Sequence, residues 1–305
     1  MAREVRQSVM EAVGNTPLVQ LGRLFPAANV VAKLEYMNPG GSIKDRMVRY
    51  MLTHLPPGTR CVVESSSGNT GAALAMASAV RQLGCEITVP ATTSGEKIKR
   101  IATYGAKVHV CADKGDGEAP SDYLSMAREI AARKGAFLLD QYCSELNREA
   151  HYVDTGPELW QQLDGEIDVF VCGIGSGGTI SGIGRYLKER NPAIRVIGVE
   201  PVNSSYRDLL ENRESGSEFA SVIEGIGKRH PSSSFDPSVV DEVIQVADED
   251  GLAWVRRLAQ EEGILAGGSS GSVTAGIAKL LPRLEGKRIA TIFPDSGVFY
   301  LSKYF

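Results

Sequence analysis

The sequence offers little for thiol or metal chemistry. Five cysteines stand at 61, 85, 111, 143 and 172 with no C-x-x-C pair among them, which argues against both a disulfide framework and a zinc site. Cys61, Cys85, Cys111 and Cys172 lie in apolar, strand-like contexts and read as small hydrophobes. Cys143, beside "DQY", is the one whose exposure needs checking. His54, His109 and His230 show no ligand spacing, so no metal is expected. Long apolar runs are absent as well. The opening "MAREVRQSVMEAVGNTPL" lacks the stretch of a signal peptide and no 18-residue apolar span follows, so no membrane span is expected and the cytoplasm is the expected location. A formal net charge of -4 gives no excess of either sign that would favour nucleic acid or an anionic bilayer as partner. Low-complexity tracts and solenoid-period repeats are missing too.

What remains is an ordinary globular composition, 305 residues with 43% hydrophobic and 23% charged, long enough for two modest α/β domains. Apolar strand-like runs at 29–36, 60–65, 85–90, 106–110, 136–140, 168–172, 195–200 and 288–294 alternate with helical patterns such as "NTGAALAMASAVRQLG", "SDYLSMAREIAARKG", "NREAHYVDTGPELWQQLDG" and "DGLAWVRRLAQEEG". That alternation predicts parallel sheets covered on both faces. The stretch 112–120, "ADKGDGEAP", reads as a polar loop, and 203–240, with little periodicity, as a surface excursion. No flexible linker divides the chain, so a second domain is expected as an insertion within the first.

Chemistry concentrates in glycine- and serine-rich loops. In "DVFVCGIGSGGTISGIGRYLKER" a β-branched run feeds a loop that opens a helix, and Gly173, Gly175 and Gly178 satisfy G-x-G-x-x-G. Glu200 ends the next strand about 20 residues on, which completes a dinucleotide-binding fingerprint. Three further loops, "NPGGSIKDR" (38–46), "SSSGNTG" (65–71) and "GGSSGS" (267–272), also open helices. Helix amino termini present unpaired N–H donors and positive potential, so such loops suit anions. A dinucleotide accounts for one loop and leaves three idle. Lys44 stands out within "NPGGSIKDR". Its plain reading is a solvated lysine in a first helical turn, where its charge opposes the dipole. The same position pushes an amine toward its neutral, nucleophilic form, which Schiff-base chemistry requires.

"GNTPLV" (14–19), "NPGGSIKDR", "SSSGNTG", "DQY" (140–142), "GSGGT" (175–179), "EGIG" (224–227) and "GGSSGS" occur in the order found in the cysteine synthase and cystathionine β-synthase family. The sequence resembles that family from about Gly14 to its last residues. The resemblance implies a fold-type II enzyme using pyridoxal 5′-phosphate (PLP), and resolves the glycine loop in favour of this cofactor's phosphate ester over NAD. The implied fold is α/β, tryptophan-synthase-β-like, with two three-layer α/β/α domains and mostly parallel sheets. Residues 1–39 and 146–305 would form a large PLP-binding domain and 40–145 a smaller, mobile substrate-binding domain, with PLP between them and closure on the substrate.

By the same resemblance Lys44 is the Schiff-base lysine and then removes the α-proton. Asn69 meets the cofactor's 3′-oxygen. Gly175, Ser176, Gly177, Gly178 and Thr179 cradle the phosphate, and Ser269 faces the pyridine nitrogen. A neutral hydroxyl there leaves the ring a weaker electron sink, which favours prompt loss of a β-substituent. Ser66, Ser67, Gly68, Asn69 and Thr70, with Gln141, are expected to bind the substrate carboxylate, while Tyr142 and Gly225 line the passage for leaving group and nucleophile. His151 is read as structural, Asp45 and Arg46 as a local helix-start pair, and Glu200 as the end of a strand beside a loop.

The implied activity is β-replacement on serine, O-acetylserine or O-phosphoserine through an aminoacrylate, adding a sulfur nucleophile, sulfide or homocysteine. Many relatives carry Pro-Thr where this chain has Ser65 and Ser66, and "SSSGN" also resembles the 2,3-diaminopropionate synthases, which add an amine. "HYVDTGPELW" and "VIEGIG" lean toward cystathionine β-synthase and the sulfhydrylases. A serine/threonine dehydratase is the third reading; a scaffold that has lost its chemistry would need a missing lysine or a broken cradle, and neither is seen. The chain's limits leave no room for a haem-binding extension or a carboxy-terminal regulatory module, so an unregulated enzyme is the expectation, and the resemblance implies a homodimer. Neither leaving group nor nucleophile is legible from these residues.

Overall fold

The computed structural model describes residues 5–111, 122–214 and 219–305; the loop read at 112–120 lies outside them. The strands are β1 (Leu18–Gln20), β2 (Asn29–Leu34), β3 (Cys61–Ser65), β4 (Gly84–Pro90), β5 (Lys107–Cys111), β6 (Phe137–Leu138), β7 (Val169–Gly173), β8 (Arg195–Pro201), β9 (Glu242–Val246) and β10 (Arg288–Phe293). They fall into two compact units. One comprises Met1–Val13 and Asn38–Gln141, the other Gly14–Met37 and Tyr142–Phe305.

The first unit holds a parallel sheet in the order β5-β4-β3-β6. Val63 pairs with Glu86, so it shares a face with Glu86 and not with Ile87. Ala127, Ile130 and Ala131 of the Tyr123–Lys134 helix pack on Val63. Gly71 of the Asn69–Arg81 helix approaches Ile87 on the opposite face. Both faces are therefore covered, the arrangement that apolar parallel strands require.

The second unit holds the order β1-β2-β10-β7-β8-β9, parallel except for the β1–β2 pair. Helix Gly178–Arg190 lays Gly184 on Val196, whereas helix Gly268–Leu280 lays Gly276 on Val199, which points to the other face of β8. Fully buried Val171, Ile197, Val199, Ile289 and Phe293 anchor the core beneath the second helix. In both units the loops that follow the central strands emerge at the carboxyl ends of the parallel sheet, where α/β folds place ligands.

Several expectations need correction. The run 29–36 is strand only to Leu34, and Glu35–Met37 turns as a 3₁₀ helix. The run 136–140 shortens to Phe137–Leu138, because Asp140 takes φ +49° and breaks the extension. The long helix read from "NREAHYVDTGPELWQQLDG" is three pieces: Glu145–Ala150, a π-helical turn over His151–Thr155, and Gly156–Gln162. Segment 203–240 is no surface excursion, since Tyr206, Ile223, Ile226 and Phe235 are buried. Cys143 is exposed, Cys61 half-buried and the other three cysteines buried; burial pushes the Cys85 thiol up to about 12.

Candidate active site

In the first unit, "NPGGSIKDR" folds back on itself. Asp45 Oδ2 accepts the Gly40 N–H at 2.6 Å, and a Cβ at Gly40 would meet Asp45 Oδ1 at 2.4 Å. Gly41 sits at φ +82°, a conformation glycine adopts without cost. This turn delivers Lys44 as the first residue of the Lys44–Thr53 helix, its N–H held by Ser42 Oγ at 3.2 Å. Lys44 is half-buried, while Asp45 and Arg46 behind it are buried. Asp45 is thus the clasp of the lysine loop. The same loop is tied from a residue that sequence inspection missed: Arg100 donates to the Gly40 carbonyl at 2.6 Å and to Asn69 Oδ1 at 3.1 Å. Arg100 lies in the last turn of an exposed-looking helix, and no local pattern marks it.

After β3 the chain runs through Ser66 and Ser67 into the Asn69–Arg81 helix, whose N-cap Gly68 offers no side chain to the first turn. Ser66 Oγ instead accepts the Gly68 N–H at 3.3 Å. A Cβ at Gly71 would strike the Ser66 carbonyl at 2.4 Å, so only glycine lets the loop close so tightly. Thr70 Oγ1 donates to Gln141 Oε1 at 2.8 Å, fully buried. The Thr70 hydrogen is spent on Gln141, so what this helix amino terminus offers a carboxylate is its backbone N–H groups and dipole, with the Thr70–Gln141 pair fixing their position. Beneath them Glu64, at 0% exposure in β3, makes no hydrogen bond of acceptable geometry among the described residues. Burial, then the nearby Asp140 charge, push its carboxyl up to about 8; the N–H groups of Gln141 and Ser65 and the Gln141 amide face it and only partly offset this.

In the second unit, β7 ends in Gly173–Ile174 and the loop Gly175–Gly177 opens the Gly178–Arg190 helix. Each glycine is required by something that occupies the space of a side chain. A Cβ at Gly175 would lie 2.1 Å from the Gly225 carbonyl oxygen, one at Gly177 2.5 Å from Phe235, and one at Gly178 2.1 Å from Asn147 Oδ1. The "EGIG" loop is clamped in turn, with Gly225 at φ +87° and the Gly227 N–H bonded to the Ile174 carbonyl at 2.7 Å. Tyr206 O–H donates to the Gly175 carbonyl at 2.6 Å, and Ser232 O–H donates to that of Ser176. The loop's carbonyls are drawn outward by these hydroxyls. Its N–H groups at Ser176, Gly177, Gly178 and Thr179 donate to no backbone carbonyl among the described residues. The result is a concave set of N–H donors flanked by the Ser176 and Thr179 hydroxyls, the shape and polarity of a phosphate cradle.

Ser269 is buried in the first turn of helix Gly268–Leu280, beside Ser270, whose hydroxyl has no partner among the described residues. Tyr142 lies under Lys228, whose Nζ stands 3.8 Å from the ring centre and whose pKa burial lowers. Glu200, expected as a bland strand end, is fully buried and caps the Tyr206–Leu210 helix by accepting the Tyr206 and Arg207 N–H groups at 3.0 and 3.1 Å. It serves the loop scaffold, not a ribose.

One parallel α/β unit presents a lysine at a helix start and a helix amino terminus suited to an anion; the other presents a glycine loop whose N–H donors suit a phosphate ester. The profile of the family described as pyridoxal-phosphate dependent enzyme matches residues 9–295. The chain belongs to this family, and its cofactor is pyridoxal phosphate. Cystathionine beta-synthase of Apis mellifera is 38% identical over 315 residues, covering 99% of this chain and 62% of that protein. Cystathionine beta-synthase of Rattus norvegicus is 36% identical over 313 residues, covering 99% and 55%. The chain thus spans little more than half the length of these relatives. Cysteine synthase of Staphylococcus aureus, 36% identical over 312 residues, is covered to 97% of its length. A crystal structure of O-ureido-L-serine synthase superposes with a TM-score of 0.87 at 31% identity, covering 99% of this chain and 95% of that one. No helix among the described residues is long and apolar enough to cross a membrane, and no group of acidic, histidine or cysteine side chains among them has metal-binding geometry.

The cradle makes a sharp prediction. Gly175→Ala places a methyl group against a backbone oxygen that cannot swing away. Purified protein is expected to keep its circular dichroism and to hold pyridoxal phosphate about 10- to 100-fold more weakly, the loss of one or two charge-assisted hydrogen bonds. Absorbance titration of the apoprotein measures it.

Proposed function

We propose that the chain catalyses β-replacement on serine, O-acetylserine or O-phosphoserine, exchanging the β-substituent for a sulfur nucleophile, sulfide or homocysteine. The observation that carries this reading is the carboxylate seat at the start of the Asn69–Arg81 helix, with Thr70 and Gln141 locked together at 2.8 Å. An amino-acid carboxylate is the anion that such a seat, in a pyridoxal-phosphate enzyme, exists to hold.

Bound pyridoxal phosphate supplies the electron sink that stabilises negative charge at the substrate's α-carbon. The chain's residues do the rest. Lys44 Nζ would hold that cofactor and, when free, would take the substrate's α-proton at close range. Ser66, Ser67, Gly68, Asn69, Thr70 and Gln141 grip the carboxylate and fix the Cα–H direction. Asn69, braced by Arg100, orients the cofactor ring at its 3′-oxygen. The loop Gly175–Thr179 would hold the phosphate, and Ser269 would offer the ring nitrogen a neutral hydroxyl, which favours β-loss over transamination. Tyr142 and Gly225 border the path of leaving group and nucleophile.

The Ser65–Ser66–Ser67 spelling supports a second reading, an amine nucleophile and a 2,3-diaminopropionate-type product. One experiment separates them. Holoenzyme is given each donor, then sulfide, homocysteine or glutamate, and products are weighed by mass spectrometry. Cysteine or cystathionine supports the sulfur reading and an amine adduct replaces it. Pyruvate with no coupled product makes the enzyme a dehydratase and overturns both.

A further inference from the structure

His151 and Asn147 were expected to be structural or went unremarked, yet both reach the phosphate loop. Asn147 Nδ2 donates to Ser176 Oγ at 3.0 Å, and His151 Nε2 lies 3.2 Å from Thr179 Oγ1. The ring's other nitrogen, Nδ1, lies 2.9 Å from Thr155 Oγ1. Asn147, His151 and Thr155 are each at 0% exposure. The two donors are four residues apart and their targets three apart, so one helix face addresses one first turn.

Local structure makes this reach possible. The π-helical turn His151–Thr155 interrupts the helix at the histidine, and such single-turn insertions recur at functional positions. Glycine on the facing helix removes the obstruction. A Cβ at Gly178 would collide with Asn147 Oδ1, and one at Gly182 would lie 2.2 Å from the Arg148 carbonyl and 2.8 Å from His151 Cβ. A Cβ at Gly156, which follows the π turn, would lie 2.9 Å from Tyr186 Cβ.

Hydrogen-bond arithmetic gives the arrangement a direction. A hydroxyl has one hydrogen to donate, and a phosphate dianion can only accept. An amide N–H that points at Ser176 Oγ leaves the serine's hydrogen unspent. A neutral imidazole donates from one nitrogen and accepts at the other. If Nε2 carries the proton, it donates to Thr179 and Nδ1 accepts from Thr155, so the Thr179 hydrogen is left for a ligand. If Nδ1 carries it, the Thr179 hydrogen must turn back to the ring and the cradle loses a donor.

We propose that Asn147 and His151 are positioning residues that aim the Ser176 and Thr179 hydroxyls at the cofactor's phosphate, with Thr155 holding His151 as the Nε2–H tautomer. This rests on the assignment of Gly175–Thr179 to that phosphate. Three measurements test it. Long-range ¹H–¹⁵N spectra of ¹⁵N-histidine holoenzyme should show His151 neutral, with a protonated Nε2; an Nδ1–H ring or an imidazolium overturns the tautomer. Thr155→Val and His151→Phe apoproteins should bind pyridoxal phosphate about 10- to 100-fold more weakly, a range typical of lost outer-shell partners, while pyridoxal, which lacks the phosphate, binds them as it binds wild type. His151→Gln, whose Nε2 hydrogens replace the imidazole donor, should recover most of the affinity and keep the protein folded if Phe does not. Equal weakening toward both aldehydes would make the residues general scaffold and overturn the proposal. Wild-type apoprotein that prefers pyridoxal phosphate no more than pyridoxal would overturn the phosphate assignment itself.

Discussion

Lys44→Ala is expected to yield folded, colourless protein with β-replacement activity reduced roughly a thousandfold or more. The magnitude follows from removing a covalent anchor and a general base in one side chain, each worth orders of magnitude. Folding should survive, because Lys44 is half-buried at the first position of its helix and the clasp that shapes the loop is Asp45 on Gly40, not the lysine. Alanine is also a better helix former than lysine. Lys44→Arg sharpens the test. It keeps the charge and the reach, but a guanidinium does not deprotonate, so it should be as inactive as alanine. Borohydride reduction of wild-type holoenzyme, then peptide mapping, should locate the cofactor on Lys44. A label on another lysine, or a Lys44→Ala protein with its visible band intact, would remove the basis of the proposed chemistry.

What could be read from the sequence divides along physical lines. The central strands were legible because they are buried on both faces and so read as unbroken apolar runs. The edge strands β1 and β9 were not, since they are only partly buried and their pattern is mixed. The glycine loops announced themselves because a Cβ at these positions would lie 2.1 to 2.5 Å from neighbouring backbone or side-chain atoms. The residues that brace those loops left no such trace. Tyr206, Ser232 and Phe235 come from an aperiodic segment that docks on loop backbone instead of a sheet, so neither a period of 2 nor of 3.6 arises. Arg100 is one more arginine on a helix, and its role exists only because the fold brings Gly40 and Asn69 within reach. The π turn is invisible to helical periodicity, and with it the aim of His151.

Glu64→Gln is expected to change the pH dependence of both stability and substrate binding. The wild-type carboxyl is fully buried in β3 and pushed up to about 8 by desolvation and the Asp140 charge; Tyr123, whose own pKa is raised by burial and then by the charges of Asp122 and Glu64, is the other titratable group set against it. In the unfolded chain the same group titrates near its ordinary 4.5. Between those values the folded state holds a proton that the unfolded state has released. Stability therefore falls as pH rises through the window, and the loss is complete above about 8. A shift of this size corresponds to a cost on the order of 5 kcal/mol. Glutamine stays neutral, so the melting temperature of Glu64→Gln relative to wild type should climb from pH 5 to pH 8.5. Function should follow the same proton. Glu64 lies two residues before Ser66 and against Gln141, so its ionisation sets a negative charge under the seat for the substrate carboxylate. In wild type KM for the donor should rise steeply above pH 8, and in Glu64→Gln that rise should be blunted while kcat near pH 7 is retained. Parallel pH profiles in the two proteins, for melting and for KM alike, would mean that Glu64 is already ionised in the folded state, and that the seat tolerates its charge.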